Sequence, residues 1–273
     1  MTPIVLERIS FHYPNGVAAL RNVSLALAAG ESVALIGQNG AGKTTLARHL
    51  NGLLLPSDGQ VLVGDWNTRA KTAAQLAQRI GYVFQHPEHQ IFKRTVQAEV
   101  AFGPRNLGFS AERVDQQVAR ALEATGLAAY TDRHPHDLLP ALRKRVALAS
   151  VIAMDTPIIV LDEPTTGQDA GGTALIGNIV DQLIADGRTV IMISHDMDFC
   201  ADHMRRFVML NQGRVVLDGP PEVVFGRPEL LAESAVEPPQ LARLAAKLGL
   251  PLAWQVESFV DTIARERGRF HKT

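Results

Sequence analysis

Between the apolar run SVALI and the helix-patterned TTLARHL stands GQNGAGKT, residues 37–44. It meets every fixed position of G-x-x-x-x-G-K-[ST], in the strand–loop–helix setting that pattern requires. No other stretch constrains the fold so tightly, because a tight turn between a buried strand and a helix belongs to an α/β unit. Gly37, Gly40 and Gly42 let the backbone approach an anion with no Cβ in the way. The N–H groups of the turn, through Gln38, Asn39 and Ala41, then converge on phosphate at a helix N-terminus. Lys43 brings positive charge to the β and γ phosphates. Thr44 offers a hydroxyl to Mg2+, and Thr45 follows in the same turn. A glycine-rich turn that merely starts a helix would not need the lysine and threonine at those positions.

Four short runs are dense in Val, Ile and Leu: SVALIG (32–37), IGYVF (80–84), PIIVLDE (157–163) and TVIMIS (189–194). They are apolar at consecutive positions, as in strands covered on both faces of a parallel sheet. Helical spacing marks TTLARHL, VDQQVARALEAT (114–125), RVALASVIAM (145–154) and ALIGNIVDQLIAD (174–186). The alternation predicts an α/β fold with a mostly parallel core sheet flanked by helices. The first 27 residues read differently and suggest a separate antiparallel β subdomain. In FVMLNQGRVVLDG (207–219), NQG separates two strand-like runs and predicts an antiparallel hairpin. Residues 87–140, loosely bounded by Pro87, Pro104, Pro135 and Pro140, read as a helix-rich insert. After Pro228 come two helical candidates, QLARLAAKLGL (240–250) and VESFVDTIARER (256–267). The expected organisation is a main domain over 1–228, with a helical subdomain at about 87–155, and a C-terminal helical extension over 229–273.

The 273 residues are 46% hydrophobic and 20% charged, with a formal net charge of −1. No global field draws such a chain to nucleic acid or to an anionic membrane. Cys200 is the lone cysteine, so no internal disulfide is expected. The start, MTPIVLERIS, lacks the basic and apolar regions of a secretory signal. No apolar run approaches the roughly 20 residues that cross a bilayer. Work at a membrane would need a partner.

IIVLDEP ends a buried-type strand with Asp162 and Glu163. An acid there can hold Mg2+, directly or through water, and Asp162 fits that role. Glu163 can orient or deprotonate an attacking water. His195 follows TVIMIS and can reach a γ-phosphate from the same sheet edge, although a lone histidine is more often structural. Gln85 closes IGYVFQ with a neutral side chain able to contact Mg2+ or water. His86 with His89, and His134 with His136, lack further clustered ligands and read as loop or interface residues. In DLLPALRKR (137–145), Arg143, Lys144 and Arg145 mark either an anion patch or the wet first turn of a helix. No aromatic interleaving or basic excess supports nucleic acid as a partner.

In chain order, Tyr13, the loop at 37–45, Gln85, Asp162–Glu163, Asp169 and His195 resemble the nucleotide-binding domain of the ATP-binding cassette (ABC) family over roughly residues 3–225. The resemblance implies a P-loop ATPase that uses ATP and Mg2+. It implies that Tyr13 stacks on adenine and that Gln85 senses both Mg2+ and a membrane partner. It also implies that Asp169 in TTGQD lies at a dimer interface, that His195 contacts the γ-phosphate, and that the helical insert touches the membrane partner. FQHPEHQIFKRTVQAEVAFGPRNLG (84–108) and the tail PPQLARLAAKLG are similar to the ATPases of energy-coupling factor importers, a group that includes cobalt and nickel importers. That narrower likeness implies a peripheral place on the cytoplasmic side of the cell membrane. Its partners would be a second ABC ATPase, a transmembrane coupling subunit and a substrate-binding membrane subunit. The cargo would be a vitamin or metal ion, and the C-terminal extension would help pair two ATPases.

One motif departs from the family. Its signature L-S-G-G-Q precedes RVALA and binds the γ-phosphate held by the opposite subunit. Here Leu138, Leu139, Pro140, Ala141 and Leu142 stand in its place, and only the first matches. Leu139 has no hydroxyl, Pro140 has no N–H, and Ala141 and Leu142 add bulk. Each lost charge-assisted hydrogen bond removes about 1.5–3 kcal/mol. Arg143–Arg145 then read as the basic first turns of the signature helix, with Pro140 tolerated near its start. The expectation is a heterodimer with one competent and one weak site. A weakly hydrolysing regulatory subunit and a soluble non-transport ABC protein stay open as alternatives. The chain has neither the long coiled coil nor the second cassette usual in the latter.

Overall fold

The computed structural model describes residues 2–270. Strands β1 (Ile4–His12) and β2 (Ala18–Leu27) pair antiparallel, and β4 (Asp58–Val63) and β5 (Trp66–Asn67) complete a four-stranded sheet in the order β2-β1-β4-β5. In β1 the inward residues Leu6 and Ile9 are three apart, which breaks strand alternation. The pairing register shifts between them, with Arg8 at φ 48°, so a bulge returns Ile9 to the core.

The second sheet carries the site. Strands β3 (Ser32–Ile36), β6 (Ile80–Val83), β7 (Ile158–Asp162) and β8 (Thr189–Ile193) are buried at every position, as their unbroken apolar runs require. They run parallel in the order β3-β8-β7-β6. The expected hairpin forms between β9 (Arg206–Asn211) and β10 (Arg214–Gly219), turned by two left-handed residues, Gln212 and Gly213. It does not join the antiparallel sheet: β9 lies parallel to β3 and extends the core sheet at that edge.

Helix α1 (Lys43–Leu50) follows β3, and the short α2 (Ala73–Leu76) precedes β6. Between β6 and β7 lie α3 (Val96–Asn106), α4 (Ala111–Ala124) and α5 (Pro140–Ala153). Pro104 does not bound this insert, because it sits inside α3 near its C-terminal end. Helix α5 belongs to two cores. Ala147, Leu148 and Val151 pack with the sheet residues Ile159 and Leu161, while Val146, Ala149 and Ala153 pack with Val100, Val118 and Leu122 of α3 and α4. It thus ties the helical insert to the sheet.

Helices α6 (Ala170–Ala185) and α7 (Met197–His203) cover the sheet beside α5. Beyond β10 come α8 (Pro221–Phe225), α9 (Pro228–Glu233), α10 (Gln240–Lys247) and α11 (Val256–Phe270). Leu231 and Val236 still belong to the core cluster, and Trp254 reaches Phe225 with ring centroids 5.9 Å apart. Cys200 is buried without a partner, as a small apolar residue would be. No helix among the described residues is long and apolar enough to cross a membrane.

Candidate functional site

The parallel strands β3, β6, β7 and β8 deliver Gly37, Phe84, Glu163 and Ser194 to one end of the sheet, where α/β folds place their ligands. A cavity of about 350 Å³ opens there. It is lined by Tyr13, Asn39, Gly40, Ala41, Gly42, Lys43, Thr44, Thr45, Gln85, Asp162 and Glu163, together with Val17 and Ile193. Gly37 and His195 line a neighbouring cavity with Val236 and Glu237. The Gln38 side chain turns away from both and donates to Asn211 Oδ1 at 3.4 Å.

The turn is built for close backbone approach. Gly42 is the N-cap of α1 at φ 107°, and a Cβ there would lie 2.6 Å from the Ala19 carbonyl oxygen. Gly37 stands at φ 139°, where a Cβ would run into the Leu210 carbonyl. The first turn of α1 holds no acidic residue, and Lys43, Thr44 and Thr45 open it. Its N–H groups lack intrahelical acceptors and carry the positive end of the helix dipole. Lys43 is 8% exposed and donates to the Gly37 and Gln38 carbonyls at 2.6 and 3.0 Å. Burial lowers its pKa, and the charges of Glu163 and Asp162 oppose that shift. Tyr13 meets Phe11 edge-on, and its hydroxyl lies 3.0 Å from Thr45 Oγ1.

Opposite the turn, Asp162 Oδ1 accepts from the Thr44 hydroxyl at 3.5 Å, and Oδ2 accepts from the Tyr82 hydroxyl at 3.0 Å. Burial raises the Asp162 pKa, while these two hydrogen bonds pull it down. Thr44, Asp162 and Gln85 are oxygen donors lining the same cavity, a set that fits a hard divalent cation such as Mg2+. Glu163 has φ 53°, a left-handed conformation that costs a residue with a Cβ about 1–3 kcal/mol. Its N–H donates to the Ile193 carbonyl at 2.8 Å. Its Oε2 lies 2.8 Å from His195 Nδ1 and accepts from the Thr166 hydroxyl at 3.3 Å. The His195 ring is otherwise open, at 73% exposure. Asp169 caps α6 instead of entering the cavity, accepting from Gly172 N at 2.7 Å.

The family model described as "ABC transporter" matches residues 20–166. The chain is 40% identical to the energy-coupling factor transporter ATP-binding protein EcfA of Methanothermobacter thermautotrophicus, over 90% of this chain and 79% of that one. The chain belongs to the ABC transporter family. A putative ABC transporter ATP-binding protein of Methanosarcina acetivorans is 40% identical over 91% of this chain. The chain spans about two fifths of the length of the first curated relatives it matches. Among solved structures, CbiO1 of Clostridium perfringens, part of the ABC transporter complex CbiONQ, aligns with a TM-score of 0.74 and 31% identity, over 90% of this chain and 98% of that one.

In this ABC protein the basic cluster before β7 differs from a wet first turn. Helix α5 begins with Pro140 at its first position, and Leu139, its N-cap, makes no side-chain cap and is 71% exposed. Leu138 is buried. Lys144 is only 7% exposed and donates to the carbonyls of Glu163 and Thr166. Arg145 Nε donates to Gln168 Oε1 at 3.1 Å. The three residues therefore occupy the first turns of α5, but two of them face inward to the loop after β7. Charge count along the sequence could not reveal this. Tyr82 was also hidden, although a phenol in the buried run IGYVF signals a polar partner, because a buried hydroxyl needs one. His86 with His89 and His134 with His136 bring ring centroids to 5.6 and 5.5 Å, and no group of three metal ligands forms among the described residues.

Proposed function

We propose that this chain is the ATP-binding and ATP-hydrolysing subunit of an energy-coupling factor importer. The observation that carries the proposal is that Asn39 to Thr45 of the phosphate turn share one cavity with the Asp162–Glu163 pair. In this reading the turn from Gly37 to Thr45 binds the ATP phosphates through its N–H groups, and Lys43 leaves its carbonyl partners to meet the β and γ phosphates. Tyr13 stacks on the adenine at the open side. Thr44, Asp162 and Gln85 would hold Mg2+, which would supply positive charge against the charge developing on the phosphates. Glu163 takes the proton of the attacking water, the oxygen of that water attacks the γ-phosphorus, and the bond from the γ-phosphorus to the bridging oxygen breaks so that ADP leaves. His195 approaches the γ-phosphate from beside Glu163. The αL turn and its hydrogen bonds fix the carboxylate before substrate arrives.

The likeness to EcfA and to CbiO1 supports membrane partners and a paired ATPase. The chain would lie on the cytoplasmic side of the cell membrane, bound to a transmembrane coupling subunit and a substrate-binding subunit. The cargo would be a micronutrient, either a vitamin or a transition metal ion. In a head-to-tail pair, the start of α5 would face the partner's nucleotide. Leu139 offers it no hydroxyl and Pro140 no N–H, which supports a heterodimer with one competent site and one impaired site. The same feature favours a second reading, a regulatory subunit that scarcely turns over. Glu163→Gln separates the two. It should retain ATP and abolish uptake if this chain's own site drives the cycle. Unimpaired uptake would favour the regulatory reading.

A further inference from the structure

Glu163 holds its left-handed conformation through several contacts. Most come from the sheet ends or from its own turn: the Ile193 carbonyl, the His195 ring and the Thr166 hydroxyl. One comes from elsewhere. The Lys144 ammonium, on α5, donates to the Glu163 carbonyl at 2.7 Å and to the Thr166 carbonyl at 3.0 Å. A single cation thus staples both ends of the turn. Gln168 adds a parallel tie, since its Nε2 donates to the Ala141 carbonyl at 3.0 Å while its Oε1 accepts from Arg145.

Burying an ammonium is costly unless it is paired or well hydrogen-bonded, and an apolar side chain of the same length would fill the space without that cost. Burial lowers the Lys144 pKa, and Glu163 and Asp162 oppose the shift. Lys144 does not line the nucleotide cavity, so the charge has no direct access to phosphate there. The group it does control is the main chain that aims the Glu163 carboxylate.

We propose that Lys144 is a positioning residue for Glu163. Its ammonium fixes the 163–166 turn, so that the carboxylate points where water must attack, and it ties that aim to the placement of α5. The proposal rests on Glu163 acting as the general base.

The test is single-turnover ATP hydrolysis by the full chain, co-purified with the subunits that support its activity. The chains compared are wild type, Lys144→Met, Lys144→Arg, Glu163→Gln and the Lys144→Met/Glu163→Gln double variant. Lys144→Met should lower the hydrolysis rate about 10- to 100-fold, as misplacement of a catalytic group does. KM for ATP should stay within about twofold, because binding and chemistry are separated here. Lys144→Arg should recover part of the loss. In the Glu163→Gln background, Lys144→Met should cost nothing further. Wild-type hydrolysis by Lys144→Met beside an inactive Glu163→Gln overturns this proposal alone. So does an equal loss in both backgrounds, the mark of a merely structural lysine. Wild-type hydrolysis by Glu163→Gln overturns the general-base reading and this proposal together. Should the methionine variant not fold, Lys144→Gln carries the same comparison, keeping a donor without the charge.

Discussion

Helix α1 opens on Gly42, Lys43, Thr44 and Thr45, whereas α5 opens on Leu139, Pro140, Ala141 and Leu142. Both helices expose N-terminal N–H groups and the positive end of a dipole. Only the first is equipped to use them. Its cap is a glycine in the left-handed region, its first turn supplies an ammonium and two hydroxyls, and two carboxylates stand opposite. The second has a leucine cap with no side-chain acceptor and a proline that removes an N–H. A helix N-terminus is therefore only a predisposition, and the residues of its first turn decide whether an anion is held. Within one chain, one helix start carries an ammonium and two hydroxyls, and the other carries neither.

The largest effect should come from emptying the cradle. Lys43→Ala removes its cation and should reduce ATP hydrolysis by about 100-fold or more, two lost charge-assisted contacts of about 1.5–3 kcal/mol each. Titration with a fluorescent ATP analogue and a rate assay would check this, and unchanged binding would erase the contrast between the two helices. A smaller effect, in the opposite direction, should follow from repairing α5. The triple change Leu139→Ser, Pro140→Gly and Ala141→Gly supplies a hydroxyl and an N–H, and should raise turnover at the partner's site about 10-fold. No gain in a site-specific assay would mean that the start of α5 is not what limits that site. Smallest of all, Tyr82→Phe removes the donor to Asp162 Oδ2. It should destabilise the protein by about 1 kcal/mol, read as a Tm lower by about 2–4 °C. A Tm at or above wild type would show that the buried carboxylate does not depend on the phenol.

Much of this was legible because backbone sterics and burial write directly into sequence. The unbroken runs SVALI, IIVLD and TVIMI announce strands covered on both faces, and all three lie in the parallel sheet. The glycines at 37 and 42 stand where positive φ and close carbonyls exclude a side chain. What stayed hidden depends on tertiary partners. The bulge in β1 disguises its alternation. Lys144 and Arg145 read as solvated charge, because nothing local reveals that the loop after β7 lies beneath them. The hairpin was visible as a hairpin, while its docking onto β3 was not, since pairing between strands about 170 residues apart leaves no local mark.

The central question is whether this chain provides a working cradle and a failing second contact. The direct measurement is ATP hydrolysis by the purified chain alone and then combined with a second ABC ATPase that carries an intact serine–glycine–glycine signature. The expected result is near-background turnover for the lone chain, strong turnover for the pair, and loss of that turnover when Glu163→Gln is placed in this chain. Full turnover by the lone chain, with Leu139 and Pro140 in place, would contradict it.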